Sequence, residues 1–557
     1  MYQPVKRTPL LLTFVFIILI ATACSSSKNE FSKKDVKRSQ KLAGLDFDKK
    51  YIDTLYPYLK RNKEGYDTLR KYTLDNDVIP AVRFNPLPLN FTPKEQAGFP
   101  EWEIPNDVQL PAKEADLAFY SIPQLASLIK NKKISSYELT QFFIERLKKY
   151  NPLLQCTITI TEEMALEQAK VLDAELAAGN YRGILHGIPY GVKDLMAVEG
   201  YKTTWGAEPY RNQQIEMTAT VVEKLQAAGG VLVAKLVSGS LARGDVWFDG
   251  KTKNPWDTEQ GATGSSAGSG SATSAGLVPF ALGTETLGSI TSPSNRNGIT
   301  GLRPTYGRVS RHGVMSLSWS MDKVGPMARS AEDCAIVYSV ITGKDSKDGM
   351  TTDFPDGFEP KKDYKTLRVA YLKKDIDKDT SLSKDNLEKA LKTFKEMEIT
   401  LDEVELPKDI PYNSFDVILR AEAGAFFDDL VRSENVDKMV EQDQRSRANS
   451  LRQARFIPAV EYLQANRHRQ VLIEKMQAIM KDYDVLISPT FGNKQLIITN
   501  LTGHPVIAIP TGLDKEKHPT SITLVGNLYD EASILLLAKA FQDQTEFDEM
   551  HPEGYTD

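Results

Sequence analysis

Residues 261–276 (GATGSSAGSGSATSAG) contain only Gly, Ala, Ser and Thr. This run constrains the fold strongly, because side chains this small leave the backbone open to close approach. By composition alone it is typical of a flexible linker. However, an apolar strand-like segment, 277–282, follows it directly, and a second small-residue turn, 283–290 (GTETLGSI), comes next. Two hydroxyl-rich turns around one buried strand favour a site where main-chain N–H groups contact a ligand.

The remainder of the chain from about residue 114 alternates short apolar segments with amphipathic ones. Capping boxes at 121–124 and 135–138 each predict the start of a helix. Apolar runs such as 231–237 (VLVAKLV) and 505–510 (PVIAIP) predict strands. This alternation predicts an α/β fold with a mixed, largely parallel central β-sheet.

Composition excludes several classes of protein. Of the 557 residues, 41% are apolar and 26% are charged, as in ordinary globular chains. The formal net charge is −5, from 69 Lys and Arg against 74 Asp and Glu, so no surplus of positive charge indicates a nucleic-acid partner. The three cysteines and six histidines form no Cys-x-x-Cys or His-Glu-x-x-His pattern. We therefore expect no metal site and no nucleic acid.

The first residues resemble a bacterial secretion signal. Lys6 and Arg7 precede an apolar segment, 10–23, which is too short for a comfortable membrane span but has the size of a signal-peptide core. Residues 21–24 (ATAC) resemble the lipobox of bacterial lipoproteins, in which Cys24 would carry the lipid. We expect residues 1–23 to be a signal peptide and the protein to be anchored to a membrane of the cell envelope, facing the periplasm or the outer surface. The alternative is an ordinary cleaved signal with an unmodified Cys24.

Residues 24–112 are expected to form an N-terminal extension ahead of a main domain at 113–557. The extension begins with a polar, Lys-rich tether, and residues 48–75 have the apolar spacing of one or two helices. Residues 80–111 contain seven prolines, which favour extended chain because proline lacks the N–H that helices and central strands require. Three of its aromatic residues, Phe91, Phe99 and Trp102, would fix that chain to a surface.

Four segments in this order resemble motifs of the amidase signature family, serine hydrolases that cleave amide bonds. They are GIPYGVKD (187–194), TGSSAGS (263–269), GTETLGSIT (283–291) and GITGLRPTYGRVS (298–310). Similarity extends from about residue 115 to about residue 545, and several extended motifs in the right order are far more specific than one Gly-rich run. The resemblance implies the amidase signature fold, in which helices cover both sides of the sheet.

The resemblance also implies catalytic roles. It makes Ser289 the nucleophile, Ser265 a bridging serine that follows a cis peptide bond after Gly264, and Lys193 the base. An isolated lysine or serine is usually a surface charge or a helix cap, so these roles rest on the matched segments together. Lys193 would have to be neutral to accept a proton, which desolvation by the apolar strand before it would favour. The family's chemistry requires no cofactor.

The oxyanion donors implied by the resemblance are main-chain N–H groups of Thr286, Leu287, Gly288 and Ser289. Leu287 stands where the family commonly has glycine, but an N–H donor needs no glycine unless φ is positive. Leu287 is therefore expected to narrow the pocket rather than remove the oxyanion site.

Other positions near the nucleophile also differ from the family pattern. Glu285 replaces an aspartate and Thr291 replaces a frequent arginine, which places local support of the site in question. Arg303 and Asp322 match family positions and are expected to form structural ion pairs.

Function is expected to be hydrolysis of a carboxylic amide through an acyl-enzyme. One alternative is the glutaminase subunit of a tRNA-dependent amidotransferase, which works in the cytoplasm with partner subunits. A second is a surface-binding protein on a catalytically decayed amidase scaffold. The substrate stays open among peptide amides, fatty acid amides and aryl amides. Segments 345–365 and 410–470 are expected to shape its pocket, although the arginines of 410–470 are also typical of a solvated helical face.

Overall fold

The computed structural model describes residues 31–72, 74, 78 and 80–556. The chain divides into two compact units, residues 1–75 and 76–557. The smaller unit contains helices α1 (Lys33–Ser39) and α2 (Lys49–Leu69). Helix α2 lies within 48–75, where the apolar spacing predicts helix, whereas α1 lies in the segment expected to be a polar tether. The predicted signal peptide, residues 1–23, and Cys24 lie outside the described residues. Among the described helices, none is long and apolar enough to span a bilayer.

The larger unit alternates helices and strands, as the sequence predicts. Its helices are α3 (Ile122–Lys130), α4 (Ser136–Leu154), α5 (Glu162–Ala177), α6 (Thr220–Ala227), α7 (Ala267–Ser274), α8 (Thr291–Asn297), α9 (Ala331–Ile341), α10 (Lys373–Asp377), α11 (Lys384–Glu396), α12 (Asp416–Phe426), α13 (Asp428–Arg432), α14 (Arg447–Ala454), α15 (Ala459–Met480), α16 (Gln495–Thr502) and α17 (Glu531–Thr545). Its strands are β1 (Thr157–Ile160), β2 (Pro189–Lys193), β3 (Val231–Leu236), β4 (Val246–Trp247), β5 (Gly250–Lys251), β6 (Lys253–Asn254), β7 (Asp257–Gly261), β8 (Phe280–Glu285), β9 (Thr300–Arg303), β10 (Lys323–Ala328), β11 (Val369–Tyr371), β12 (Leu401–Glu403), β13 (Val485–Pro489), β14 (Val506–Leu513) and β15 (Pro519–Gly526).

Eleven of these strands form one mixed sheet in the order β1-β3-β2-β8-β10-β9-β14-β15-β13-β11-β12. The predicted α/β fold with a mixed sheet and packed helices is therefore confirmed. The expectation of a largely parallel sheet is wrong, since six of the ten neighbouring strand pairs within it are antiparallel. Parallel pairing is confined to β2 with β3 and β8, and to β11 with β12 and β13. Direct connections such as the one from β14 to β15 need only a short turn, and such turns produce antiparallel pairs.

The small-residue run folds mainly into a buried helix, α7, rather than the tight turn that its composition suggests. Gly, Ser and Thr are weak helix formers, so tertiary packing decides the structure here. A Cβ on Gly268 would lie 2.2 Å from the main-chain nitrogen of Val237 and 2.3 Å from the carbonyl oxygen of Cys156. The helix therefore packs with its backbone directly against neighbouring chain, which larger side chains would prevent.

The proline-rich segment 80–111 forms neither helix nor strand and belongs to the larger unit. Its aromatic rings contact rings of the main body, as expected: Phe91 contacts Phe354 and Tyr529, Phe99 contacts Tyr338, and Trp102 contacts Phe358. The segment is thus a packed part of the larger unit rather than a linker.

Candidate active site

Lys193 is the last residue of β2 and is fully buried. Its Nζ donates to Ser265 Oγ at 2.7 Å and to Thr284 Oγ1 at 2.9 Å. Burial lowers the pKa of Lys193 well below its usual value, because a charged ammonium would lose its water shell. The sequence does not predict the contact with Thr284, although Thr284 belongs to the second small-residue turn, 283–290.

The positive charge of Arg447 also acts on this amine. It lowers the pKa of Lys193, whereas the carboxylates of Asp322 and Glu285 act in the opposite direction. Desolvation outweighs both carboxylates, so the surroundings favour the neutral amine. The arrangement presents an uncharged amine, able to accept a proton, to the Ser265 hydroxyl.

Ser265 follows a cis peptide bond after Gly264, as the resemblance implies. Its side chain is almost fully buried, and its carbonyl accepts a hydrogen bond from the Gly239 N–H at 3.1 Å. The next residue, Ser266, donates its N–H to the carbonyl of Ser289 at 3.1 Å. The two small-residue turns are therefore joined directly through their backbones.

Ser289 lies between the end of β8 and the start of α8 and lines a cavity of about 560 Å³. Within the described part of the chain, its hydroxyl makes no hydrogen bond with another side chain. The structure thus brings Lys193 and Ser265 into contact and places Ser289 in the adjoining turn. Hydrogen bonds that serve catalysis are often loose without substrate and tighten when it binds.

The turn before Ser289 carries the expected oxyanion donors. Among the loop hydrogen bonds of the described residues, none uses the N–H of Leu287, Gly288 or Ser289. Gly288 has φ +86°, a region that favours glycine, whereas Leu287 is not among the residues with positive φ. Thr286, Leu287 and Ser289 all line the cavity, and Leu287 is 36% exposed. Leu287 therefore fits the turn without a left-handed backbone and occupies space in the cavity beside Ser289.

Glu285 supports this turn from behind. One carboxylate oxygen, Oε2, accepts the N–H groups of Ile290 and Thr291 at 2.9 Å each and the Thr291 hydroxyl at 3.0 Å. The other, Oε1, pairs with Arg303 at 2.6 Å and accepts from Asn500 at 2.8 Å. Burial would raise the pKa of Glu285, but these partners lower it to about 2. Thr291, which stands where the family often has arginine, thus helps to bind the carboxylate of Glu285.

Of the two residues expected to form ion pairs, Arg303 does and Asp322 does not, within the described chain. Arg303 pairs with Glu285, as predicted. Asp322 forms no ion pair with any described residue, so that expectation is wrong. Its carboxylate accepts the Thr286 hydroxyl at 2.5 Å and the N–H groups of Leu317 and Ser318 at 2.7 and 2.9 Å. Hydrogen bonds rather than a cation satisfy this buried acid.

Asp194 follows Lys193 directly and is fully buried. Its Oδ1 pairs with Lys235 at 2.7 Å, and its Oδ2 accepts the N–H and hydroxyl of Thr204 at 2.8 and 2.5 Å. These contacts fix the end of β2, directly after Lys193.

The cavity beside Ser289 has a cationic wall. Its lining includes four arginines and one acid; these are Arg243, Arg420, Arg445, Arg447 and Asp416. The 410–470 segment therefore contributes pocket wall as well as surface. Arg452 and Arg455, which belong to the same arginine-rich sequence, instead form ion pairs with Asp437 and Asp428 on the surface.

The chain is similar to known proteins over most of its length. The Amidase family model matches residues 138–495. A glutamyl-tRNA(Gln) amidotransferase subunit of Acinetobacter baumannii (strain ATCC 17978) is 34% identical over 488 residues, covering 78% of this chain and 97% of the relative. The native peptide amidase of Stenotrophomonas maltophilia is 25% identical with a TM-score of 0.67, covering 76% of this chain and 97% of that one. A third similar chain comes from an inhibitor-bound vestigial protein complex that reveals the evolutionary origins of an s-triazine catabolic enzyme. It is 26% identical with a TM-score of 0.69, covering 76% of this chain and 98% of that one.

Proposed function

The chain belongs to the amidase family, whose enzymes act on amide C–N bonds, and from this premise we propose that it hydrolyses a carboxylic amide through an acyl-enzyme on Ser289. Ser265 and Lys193 are the proton relay. The main-chain N–H groups of Thr286, Leu287, Gly288 and Ser289 are the oxyanion donors.

One observation supports this proposal above all. The fully buried Lys193 amine lies 2.7 Å from the Ser265 hydroxyl. The adjoining turn carries Ser289, which lines the cavity. Burial of a lysine without a carboxylate in ion-pair contact is costly for the charged form. A neutral amine in that position is a base, and a base beside linked serines is the requirement for nucleophilic catalysis.

The reaction follows from these positions. The Lys193 amine takes the Ser265 hydroxyl proton while Ser265 takes the proton of Ser289, and the Ser289 oxygen attacks the carbonyl carbon. The N–H groups of the turn bind the resulting oxyanion. Collapse breaks the C–N bond, the relay returns the proton to the leaving amine, and an acyl ester remains on Ser289. Water then attacks that ester with the same relay as base, which releases the acid.

A fluorophosphonate probe tests the nucleophile. We expect covalent labelling of Ser289, located by peptide mass spectrometry, and its loss in Ser289→Ala and Lys193→Ala. Ser274→Ala is a matched control, since Ser274 is a buried serine of α7 outside the relay. A folded wild type without labelling would favour a decayed scaffold that only binds.

A second candidate is a glutaminase-type amidotransferase subunit. It is favoured by the 34% identity to the Acinetobacter baumannii amidotransferase protein over nearly its whole length. Ammonia release from glutamine, measured with and without an acceptor tRNA system and partner subunits, separates this candidate from a free-standing amidase. Turnover of simple amides by the isolated chain supports the amidase.

We also propose that residues 1–23 are a signal peptide and that Cys24 is lipidated, which would anchor the protein in the bacterial cell envelope. Support comes from the apolar segment 10–23 and its position immediately before Cys24. Metabolic labelling with a fatty-acid analogue in a bacterial host is expected to mark the wild type and not Cys24→Ala. Labelling of neither protein would support a simple cleaved signal or none.

A further inference from the structure

We infer that the cavity beside Ser289 binds a carboxylate group of the amide substrate, through the guanidinium groups of Arg243 and Arg445. This inference rests on the proposed amide hydrolysis and specifies the substrate class. The substrate would be an amide that carries a carboxylate, attached either to its acyl part or to its amine part.

The four cavity arginines differ in what already binds them. Arg420 forms an ion pair with Asp416 and donates to Gln453 at 2.7 Å. Arg447 donates to two main-chain carbonyls. In the part of the chain that the structure describes, the guanidinium groups of Arg243 and Arg445 have no hydrogen bond and no ion pair. The single acid of the cavity wall is already used, so two cations remain for a ligand.

Arg243 is held beside the catalytic turn by its loop. The two preceding residues, Leu241 and Ala242, have φ values of +46° and +58°, a region that non-glycine residues seldom occupy. Arg447 donates to the carbonyl oxygens of both residues at 3.1 Å. Strained backbone of this kind persists only where its surroundings fix it, and it is concentrated at functional sites. Arg447 is thus a positioning residue for Arg243.

The loop also contacts the turn that carries Ser265. A Cβ on Gly264 would lie 1.9 Å from the carbonyl oxygen of Gly244, so the loop packs directly on the Gly264 backbone. Arg243, between Ala242 and Gly244, therefore lies close to the relay as well as to the cavity. Burial above all, and then the charge of Arg243, lower the pKa of Arg447 to about 10, so the two arginines are near enough for their charges to interact.

The chemistry of the wall suits an amide that carries a carboxylate. The guanidinium fork binds a carboxylate through two parallel N–H groups, which makes arginine the usual partner of this group. Leu287, Leu317 and Leu419 line the same cavity and would contact the carbon chain between the amide and the carboxylate. A long uncharged acyl chain would instead desolvate the two guanidinium groups without giving them a partner, which is unfavourable.

Three anilides test the inference directly. Pentananilide is neutral, glutaric acid monoanilide replaces its terminal methyl group by a carboxylate, and para-(pentanoylamino)benzoate carries the carboxylate on the amine part. Release of aniline or para-aminobenzoate is measured for each. We expect kcat/KM for one of the two anionic substrates to exceed that of pentananilide by about 10- to 100-fold, the range for a charge-assisted hydrogen bond.

Variants then identify the residues responsible. In the double variant Arg243→Met with Arg445→Met, we expect that preference to fall to about one- to threefold, on the scale of a lost charged partner. Arg243→Lys should keep part of it, since the charge remains while the fork is lost. Arg452→Met is the matched control, because Arg452 is paired with Asp437 outside the cavity. It should keep the wild-type preference.

Protection of Ser289 against fluorophosphonate labelling is a second readout that needs no turnover. If the acyl-side anilide is preferred, glutaramate should protect at about one tenth of the concentration of pentanamide or less, the scale of one charged hydrogen bond. If the amine-side anilide is preferred, para-(pentanoylamino)benzoate should have the same advantage over pentananilide. Equal protection by the matching anion and its neutral analogue, equal hydrolysis of anionic and neutral anilides, or a preference that survives the double variant would each overturn the inference. A complete lack of Ser289 labelling would be a different result, because it removes the proposed nucleophile itself.

Discussion

Glu285 and Arg303 form a fully buried ion pair at 2.6 Å, directly beneath the turn that carries Ser289. The same carboxylate accepts the first two N–H groups after that serine. One acid thus connects the sheet, through Arg303 at the end of β9, to the start of α8. The position of Ser289 depends on this connection, although neither charged residue contacts the cavity.

Glu285→Ala should therefore destabilise the fold and misplace the nucleophile. Removing one partner of a buried pair leaves the other charge uncompensated, at a cost of about 3–5 kcal/mol. Urea unfolding should show this loss, and kcat should fall in the folded fraction. Glu103→Gln is the control, because Glu103 pairs with Lys361 on the surface. An unchanged free energy of unfolding in Glu285→Ala would contradict the role given to the pair.

The pH dependence of kcat/KM should have an ascending limb that reports Lys193. Only the neutral amine accepts a proton, so activity is lost as pH falls through the pKa of Lys193. Burial lowers that pKa, so the midpoint of the limb should lie well below the usual lysine value. Lys193→Arg should lower activity by about 10²- to 10⁴-fold, because the guanidinium stays charged. Full activity in that variant would exclude Lys193 as the base.

Arg447→Met should move this ascending limb to higher pH. The Arg447 charge lowers the pKa of Lys193, so its removal lets that pKa rise. The direction separates an electrostatic role from simple loss of packing, which would lower the rate at all pH values without moving the midpoint. A limb that stays in place, or moves to lower pH, would argue against the electrostatic role.

Gly288 and Leu287 should respond differently to substitution by alanine. Gly288 has φ +86°, and a Cβ there would lie 3.1 Å from Ser292 Oγ. Gly288→Ala is therefore expected to distort the oxyanion turn, and loss of one donor costs about 10²- to 10³-fold in kcat. Leu287→Ala keeps the backbone and enlarges the cavity. It should raise kcat/KM for branched acyl anilides relative to linear ones. Steady-state kinetics in which Leu287→Ala loses more kcat than Gly288→Ala would refute this description of the turn.

The sequence was informative wherever function depends on short local motifs. Lys193 and Ser265 are 72 positions apart, yet the resemblance of their segments to the amidase signature family implies the contact that the structure shows at 2.7 Å. The alternation of strands and helices likewise predicted the α/β fold. Strand direction was less accessible, because local periodicity describes each strand but not its neighbours in the sheet. Six antiparallel pairs therefore went against expectation.

Features that depend on distant partners were also missed. The replacements at positions 285 and 291 place the local support of the site in question, but the cation that pairs with Glu285 comes from β9, and residues 290 and 291 contribute backbone N–H groups. Likewise, Arg243 has no motif of its own. Its place beside the catalytic turn depends on a left-handed loop and on Arg447, about 200 residues later in the chain.

The most direct test is to trap the acyl-enzyme. The wild-type protein is mixed with a reactive anilide, quenched in acid within milliseconds to seconds, and digested for peptide mass spectrometry. We predict the acyl mass on the peptide that contains Ser289, and its absence in Ser289→Ala and Lys193→Arg. An acyl group on a different residue, or undiminished hydrolysis by Ser289→Ala, would contradict the mechanism.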